Sequence, residues 1–182
     1  MLFCTYMYRI NVLLKQKRKL FHTRDLALLW GNPEPNTLYT TIKRYVQKGI
    51  LIPIHKGFYA VMPLSKLDPV LLGISYLHTY AYLSLESVLF EAGVIFQRGE
   101  YMTLVSSVSK KFSVGSYKYL VRKMRNEFLH NPAGISNQHV RKATLERAVA
   151  DMLYFNPKYH FDNPKAIDWR RVKEIQKEVG YR

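Results

Sequence analysis

The hydrophobic residues in the first third of the chain follow a helical period three times and then an alternating one. Apolar residues recur every three or four positions over 6–19, 23–30 and 36–48, which predicts three helices. We expect Thr23 to cap the second helix and Gly31 to end it. Two prolines separate the second and third segments, so the third helix is expected to take a new direction.

The third helix has a clearly two-sided sequence. We expect Asn36 to cap its first turn and Gly49 to end it. Apolar residues at i, i+4, i+7 and i+8 predict its buried side, and these are Leu38, Ile42, Tyr45 and Val46. The opposite side contains no Asp or Glu, and it consists of Thr37, Thr40, Thr41, Lys43, Arg44, Gln47 and Lys48.

Side chains of these types bind nucleic acid, because Thr, Gln, Lys and Arg hydrogen-bond both base edges and phosphates. The acid-free side therefore predicts a helix that contacts DNA, with Asn36 among the contacting residues. The alternative is an ordinary solvated surface, since any exposed side of a helix is polar. The lack of acidic residues over the whole stretch favours DNA contact.

Two strand-like segments follow, at 50–54 and 58–61, and a short turn of His55, Lys56 and Gly57 joins them. Gly57 supplies the positive φ that such a hairpin needs. Pro53 restricts its strand to an edge or a bulge, because proline has no N–H to donate. Lys56 at the tip is expected to lie near a phosphate or the minor groove. His55 has the same expected role, with an inert turn residue as the alternative.

The rest of the chain mixes helical and strand-like segments after a linker expected over 63–69. Helices are expected at 67–78, 81–95, 144–155 and 168–179, and strand-like segments lie at 101–108, 112–124 and 138–143. We therefore predict an α+β protein of two domains. They are an N-terminal winged helix-turn-helix domain over 1–62 and a C-terminal mixed α+β domain over 67–182.

The charge of the chain supports a polyanionic partner. Lys and Arg number 28 against 13 Asp and Glu, which gives a net charge of +15 and an isoelectric point of about 9.9. Residues 1–62 carry +8 and the much longer remainder carries +7. A dense positive charge attracts nucleic acid through the release of counterions. The alternative is a basic surface that only maintains solubility.

The sequence offers few candidates for chemistry, and we expect no catalytic residue, no metal site and no cofactor. The six histidines form no H-x-x-x-H pair, and no glycine-rich phosphate loop is present. Arg147 and Asp151 at i, i+4 predict a helix salt bridge. An alternative function, a nuclease or another basic enzyme acting on nucleic acid, requires a carboxylate cluster around Glu146, Asp151 or Asp162.

The expected compartment is the cytoplasm. The single cysteine, Cys4, excludes an internal disulfide and is expected to be an incidental thiol. Residues 69–85 carry no charge, but they are too few and too polar to cross a bilayer. The apolar N-terminus lacks the basic start and the cleavage site of a signal peptide.

Three stretches of the chain resemble the AbiEi family of antitoxin-like transcriptional regulators from type IV toxin–antitoxin systems. TLYTTIKRYVQKGILIPIHKGFY (37–59) is similar to the recognition helix and wing of that family. AYLSLESVLFEAGVI (81–95) is similar to its middle segment. VRKATLERAVADMLYF (140–155) resembles the strand that leads into its Ala-x-x-Glu-Arg-Ala-x-x-Asp helix.

The resemblance implies a cytoplasmic DNA-binding protein that represses its own operon at inverted repeats. It also implies that the C-terminal domain counteracts a nucleotidyltransferase-like toxin, and it carries over no catalytic residue. A homodimer on double-stranded DNA is the expected assembly, because an inverted repeat needs two copies. The alternative is a stand-alone regulator whose C-terminal domain binds a small molecule or a protein. DNA-contact roles pass by resemblance to Thr40, Thr41, Lys43, Arg44 and Lys56.

Overall fold

The computed structural model describes the backbone of residues 2–181 and the side chains of residues 8–181, so the Cys4 thiol lies outside the described residues. The chain divides into two compact units, Met1–Asp68 and Pro69–Arg182. Both units contain helices and strands, which confirms the predicted α+β class. None of the described helices combines the length and the apolar character needed to cross a membrane.

The N-terminal unit alternates helices with a small antiparallel sheet. Its strands stand in the order β1-β3-β2, so the two strands nearest in sequence, β2 and β3, form a hairpin with β2 at the edge. The elements are α1 (Leu2–Leu14), β1 (Leu20–His22), α2 (Thr23–Leu29), α3 (Pro35–Gln47), β2 (Ile52–His55) and β3 (Phe58–Ala60).

A hydrophobic core holds the described part of this unit together. The predicted stripe of α3 supplies three buried side chains, and the Trp30 ring meets the Tyr45 ring edge-on at 5.4 Å between centroids. Burial of these apolar surfaces is the main favourable term that keeps the three helices on the sheet. The buried members of the core are Leu13, Phe21, Leu26, Trp30, Leu38, Ile42, Tyr45 and Leu51.

The C-terminal end of α3 agrees with the prediction, and its N-terminal cap does not. Gly49 has φ of 69° and donates to the Val46 carbonyl at 3.0 Å, while the Ile50 N–H donates to the Tyr45 carbonyl at 2.9 Å. This Schellman arrangement confirms the predicted end of the helix. The predicted cap at Asn36 is wrong. The helix begins at Pro35, whose fixed φ suits the first helical position, so Asn36 lies inside the first turn.

Other boundaries in this unit also differ from the prediction. The first helix stops at Leu14 instead of continuing to residue 19, and the Lys19 carbonyl accepts from the Val61 N–H at 3.1 Å. Strand β1 was not predicted, and it exists because it pairs with β3 along its whole length. The predicted cap at Thr23 is wrong by one residue: His22 is the cap, and its N–H donates to the Asp25 carboxylate at 2.8 Å.

The hairpin agrees with the prediction in its two special residues. Gly57 has φ of 78°, and Pro53 lies on the edge strand β2 beside a shift of register between Pro53 and His55. The Thr23 N–H donates to the Gly57 carbonyl at 2.8 Å, so the turn is tied to the first residue of α2. The hairpin tip is therefore held in place by the helical part of the unit.

The C-terminal unit is built on a six-stranded mixed sheet in the order β6-β7-β5-β4-β9-β8. β5 pairs with β7 and β4 with β9 in parallel, and the other pairs are antiparallel. The elements are α4 (Pro69–Tyr76), β4 (Ala81–Leu83), α5 (Glu86–Glu91), β5 (Met102–Ser106), β6 (Lys110–Val114), β7 (Tyr117–Lys123), α6 (Asn126–Leu129), β8 (Ile135–Ser136), β9 (Lys142–Ala143), α7 (Leu145–Phe155) and α8 (Trp169–Val179).

The predictions for this unit are partly wrong and partly confirmed. Of the strand-like segment expected over 138–143, only Lys142–Ala143 form a strand, β9. The helix expected over 81–95 begins only at Glu86, because residues 81–83 are fully buried and form the interior strand β4. The strand-like segment 112–124 is a hairpin that turns at Gly115, where φ is 58°. Helices α7 and α8 lie where they were predicted, and the Thr144 and Asp168 side chains cap them.

Candidate functional site

The exposed side of α3 forms a cationic surface, which we call the α3 face. Every member is exposed to solvent, whereas the stripe on the other side of the helix is in the core. Because α3 is a helix of 13 residues, it presents this face along about 20 Å. Its members are Asn36, Thr37, Thr40, Lys43, Arg44, Gln47 and Lys48.

Thr41 differs from the other predicted contact residues. It is half-buried, its hydroxyl donates to the Thr37 carbonyl at 2.7 Å, and it accepts from Arg9 Nη1 at 3.0 Å. The Thr41 hydroxyl therefore joins α1 to α3. Arg9 was not predicted as part of the site, and its guanidinium lies beside the α3 face because α1 packs there. No local pattern in the sequence signals this contact, which joins residues 32 positions apart.

Neither Asp25 nor Glu34 cancels the positive charge of the α3 face. Asp25 pairs with Arg18 at 3.3 Å, and Glu34 stands before the first turn of α3, where a negative charge favours the helix dipole. Within the part of the chain that the structure describes, no carboxylate forms an ion pair with Lys43 or Arg44. Their charge is thus available to a partner.

The hairpin tip carries further exposed polar and cationic side chains in the same unit. His55 and Lys56 are both exposed, and His55 Nδ1 lies 3.2 Å from the Lys56 carbonyl oxygen. The tie between Thr23 and Gly57 fixes the turn, so Lys56 is carried on a positioned loop and not on a free end. All ten predicted contact residues are exposed except Thr41.

Tyr39 is an exposed aromatic residue that was not predicted as a DNA-contact residue. It is 60% exposed, although it directly follows the buried Leu38. Its position lies about 100° around the helix axis from Leu38, at the border of the α3 face. The sequence does indicate this exposure, because Tyr39 lies outside the apolar stripe of α3. Its ring offers a flat apolar surface and a hydroxyl beside the cationic side chains.

The C-terminal unit contains a different feature, a network of polar side chains around Arg147 that is fully buried except at Tyr181. The predicted salt bridge is confirmed: Arg147 Nε donates to Asp151 Oδ1 at 2.7 Å, and both side chains are completely buried. Three hydroxyls also donate to the Asp151 carboxylate. They are Tyr82 at 3.0 Å, Ser84 at 2.7 Å and Tyr181 at 2.5 Å.

The Arg147 guanidinium also ties together loops of the unit. Its Nη1 donates to the Ala133 carbonyl at 2.8 Å and to the Asn131 carbonyl at 3.2 Å, and its Nη2 donates to the Phe128 carbonyl at 3.1 Å. The charge and the donors of Arg147 are thus used within the fold. We call this set, Arg147 with Asp151, Tyr82, Ser84 and Tyr181, the Arg147 network.

The ionisation of the network follows from burial and the shared carboxylate. Burial raises the pKa of Tyr82 and Tyr181 far above the ordinary value, and the nearby Asp151 charge raises each further. Burial alone lowers the pKa of Arg147, but Asp151 and the two tyrosines raise it overall. Both phenols are therefore neutral donors to a paired carboxylate, which is the pattern of a structural ion pair.

Stability of the C-terminal unit is expected to fall above pH 10, the ordinary pKa of a tyrosine. There the unfolded chain releases the Tyr82 and Tyr181 protons while the folded unit retains them, and each such group costs up to about 1.4 kcal/mol per pH unit. Below pH 10 both states hold the protons and these groups add no slope. The free energy of unfolding of Tyr181→Phe, measured with urea, should therefore fall less per pH unit than that of the parent. An identical fall in both proteins above pH 10 would contradict this expectation.

The carboxylates required for a nuclease are not gathered in one place. Asp151 is inside the Arg147 network, and Asp162 accepts from the Phe96 N–H at 2.8 Å on the surface. Glu146 is half-buried on α7. Across the described side chains, no group of three His, Cys, Asp or Glu residues lies close enough together to hold a metal ion.

A cavity of about 510 Å³ lies in the C-terminal unit, where β4 ends, β5 and β7 begin and α5 passes. The turn into α5 is strained, because Leu85 is fully buried at φ of 58° and ψ of −138°, a conformation that residues with a side chain avoid. Among the residues in the cavity wall are Glu86, Phe90, Arg98, Tyr101, Tyr117 and Lys118.

Comparison with known proteins finds a similarity of fold but no match in sequence. No protein-family model and no curated protein matches the chain. Among solved structures, the chain is similar to the crystal structure of the RV2827C protein from Mycobacterium tuberculosis. The TM-score is 0.57 at 14% sequence identity, over 95% of this chain and 71% of that chain. The two chains share a fold. At this identity the likeness carries no functional residue from one protein to the other.

Proposed function

We propose that the N-terminal unit is a winged helix-turn-helix domain that binds double-stranded DNA. The order helix, strand, helix, helix and hairpin supports this proposal, with α2 and α3 as the helix-turn-helix and β2–β3 as the wing. In this arrangement α3 enters the major groove and the hairpin tip approaches the flanking backbone. The three-stranded sheet anchors the wing to the helices.

The observation that carries the proposal is the α3 face. It combines exposed Lys43 and Arg44 with exposed Thr40 and Gln47, and it contains no carboxylate. A DNA major groove of about 12 Å admits a helix of this kind, and the mixture of cations and amide or hydroxyl groups suits both phosphates and base edges. Thr41 acts differently in this proposal: it holds α1 against α3 and so positions the face.

We further propose that the protein is a transcriptional repressor and the antitoxin of a type IV pair. The support is the resemblance of 37–59, 81–95 and 140–155 to the AbiEi family, and the basic N-terminal third. Two copies would bind an inverted repeat upstream of the operon, and the C-terminal unit would counteract a nucleotidyltransferase-like toxin. A cytoplasmic location and the lack of a catalytic activity belong to the same proposal.

A second candidate is a stand-alone winged-helix regulator whose C-terminal unit binds a small molecule. The cavity beside α5 favours it, because its volume lies in the range of ligand sites. The neighbouring gene distinguishes the two candidates. A nucleotidyltransferase-like gene in the same operon supports the antitoxin, and its absence supports the stand-alone regulator.

Binding to the DNA upstream of its own gene tests the first proposal. We expect fluorescence anisotropy to show tighter binding to this DNA than to a scrambled duplex of equal length. If Lys43, Arg44, Lys48 and Lys56 contact phosphates in each of two copies, log affinity should fall with log salt at a slope of about −7. Equal affinity for both duplexes, or an affinity that does not change with salt, would contradict sequence-specific DNA binding.

A further inference from the structure

Two side chains outside the predicted contact set border the α3 face, one on each side. Arg9 reaches α3 from α1, and its Nη1 donates to the Thr41 hydroxyl at 3.0 Å. Tyr39 belongs to α3 itself and is 60% exposed. Thr40 stands between Tyr39 and Thr41 in the sequence, so it lies about 100° from each of them around the helix axis. Because Thr40 is on the exposed face, Arg9 and Tyr39 flank that face on opposite sides.

The Arg9 guanidinium retains donors and charge for a partner. A guanidinium has five N–H donors, and Thr41 is the described residue that accepts one of them. No described carboxylate pairs with Arg9. Arg44 lies three residues after Thr41, so it projects on the same side of α3. Two cations on one side of a helix, with no carboxylate paired to either, attract a polyanion.

Tyr39 offers a different group on the other side of the face. Its side chain is largely exposed, and no hydrogen bond or ring contact joins it to another described residue. Lys43 lies four residues after Tyr39 and therefore on the same side of the helix. A phenol hydroxyl donates to phosphate oxygens without adding charge. This side thus presents one cation and one neutral donor.

We propose that Arg9 and Tyr39 form a clamp on the two phosphate strands that border a DNA major groove. A helix with its side chains is about 10–12 Å across and the groove is about 12 Å wide, so groups on opposite sides of α3 meet opposite walls of the groove. The Arg9 guanidinium donates to a phosphate of one strand, and the Tyr39 hydroxyl donates to a phosphate of the other.

The clamp gives the flanks of α3 a role distinct from that of its centre. Phosphate contacts fix the register and orientation of a helix on the duplex, and the residues between them read the base edges. The Thr41 hydroxyl holds the Arg9 guanidinium at its side of the helix, so this donor is positioned before DNA binds. The inference rests on the proposed DNA binding of the N-terminal unit and extends it to two further residues.

Duplexes with single methylphosphonate substitutions test the clamp, because each substitution removes the charge of one phosphate. Fluorescence anisotropy on the upstream DNA should identify phosphates whose neutralisation weakens binding of the parent protein. One of them should lose its effect in Arg9→Met. Another, on the opposite strand of the same groove, should lose its effect in Tyr39→Phe. Arg170→Met, at an exposed arginine of α8, should keep the pattern of the parent.

The salt dependence distinguishes the charged contact from the neutral one. Arg9→Met should weaken binding by about tenfold, and the slope of log affinity against log salt should become less negative by about 0.9 for each bound copy. Arg9→Lys keeps the charge and should keep the slope. Tyr39→Phe should weaken binding by about threefold to tenfold at an unchanged slope, because it loses a neutral donor.

Thermal unfolding of each variant checks that the N-terminal unit is folded at the temperature of the binding experiment. Arg9→Met also removes the hydrogen bond to Thr41, so it can disturb the packing of α1 on α3. Tyr39→Phe changes an exposed hydroxyl and keeps the ring, so it tests the clamp whatever happens to Arg9→Met.

The outcomes separate this inference from the proposed function. If the parent protein does not bind the upstream DNA, the proposed function fails and the clamp fails with it. The clamp alone is overturned if the parent binds but Tyr39→Phe and the folded Arg9 variants keep its affinity and its pattern of sensitive phosphates. It is also overturned if the two altered phosphates lie on the same strand.

Discussion

Replacing Arg147 with methionine is expected to destabilise the C-terminal unit by about 3–5 kcal/mol, the usual cost of removing one partner of a buried ion pair. Methionine fills much of the space but leaves the Asp151 charge buried without its cation. It also removes the donors to the carbonyls of Phe128, Asn131 and Ala133. Urea unfolding followed by Trp169 fluorescence in a Trp30→Phe background measures the effect in this unit.

Two control variants separate the buried pair from a general loss of arginine. Arg171→Met removes an exposed arginine that pairs with Glu174 at 2.8 Å, and its cost should stay within about 1 kcal/mol. The double variant Arg147→Met/Asp151→Asn removes the uncompensated charge, so it should be more stable than Arg147→Met alone. A similar cost for Arg147→Met and Arg171→Met would contradict the account of the network.

The double variant Lys43→Ala/Arg44→Ala is expected to weaken binding to the upstream DNA by about 10- to 100-fold at low salt. The slope of log affinity against log salt should become less negative by about 1.8 for each bound copy, because two phosphate contacts are lost. Both residues are exposed on α3 and alanine favours helices, so the fold should be kept. Fluorescence anisotropy over a salt series measures both quantities.

A matched control removes the same charge from another helix. Lys173 and Lys177 are exposed on α8, and their double alanine variant lowers the net charge by the same amount. Its affinity should change less than about threefold, because only the general attraction to DNA is reduced. If both double variants bind equally weakly, the interaction depends on overall charge and the α3 face is not the DNA-contacting surface.

The elements that the sequence predicted best are those whose signals are local. Leu38, Ile42 and Tyr45 recur at helical spacing, and Gly49 lies two residues after the last residue of α3. The helix and its end could therefore be predicted from residues close together in the chain. The exposed face follows from the same spacing. Gly57 similarly marks the hairpin, because few other residues tolerate its φ of 78°.

The elements that were missed are short strands fixed by distant partners. β1 and β4 have three residues each, too few for an alternating pattern, and β4 is buried on both faces. Ala81, Tyr82 and Leu83 suit a helix equally well when only their neighbours are considered. They become a strand because β5 and β9 lie on either side.

The candidate sites divide in the same way. By itself, the sequence determined the cationic α3 face, the hairpin tip and the i, i+4 pairing of Arg147 with Asp151, since each depends on residues close together in the chain. Only the tertiary structure decided that this pair is fully buried and that Arg9 donates a hydrogen bond to Thr41. Tyr82 lies 65 positions from Arg147 and Ser84 lies 67 positions from Asp151. Contacts over that separation arise from packing of the whole unit and leave no periodic signal in the sequence.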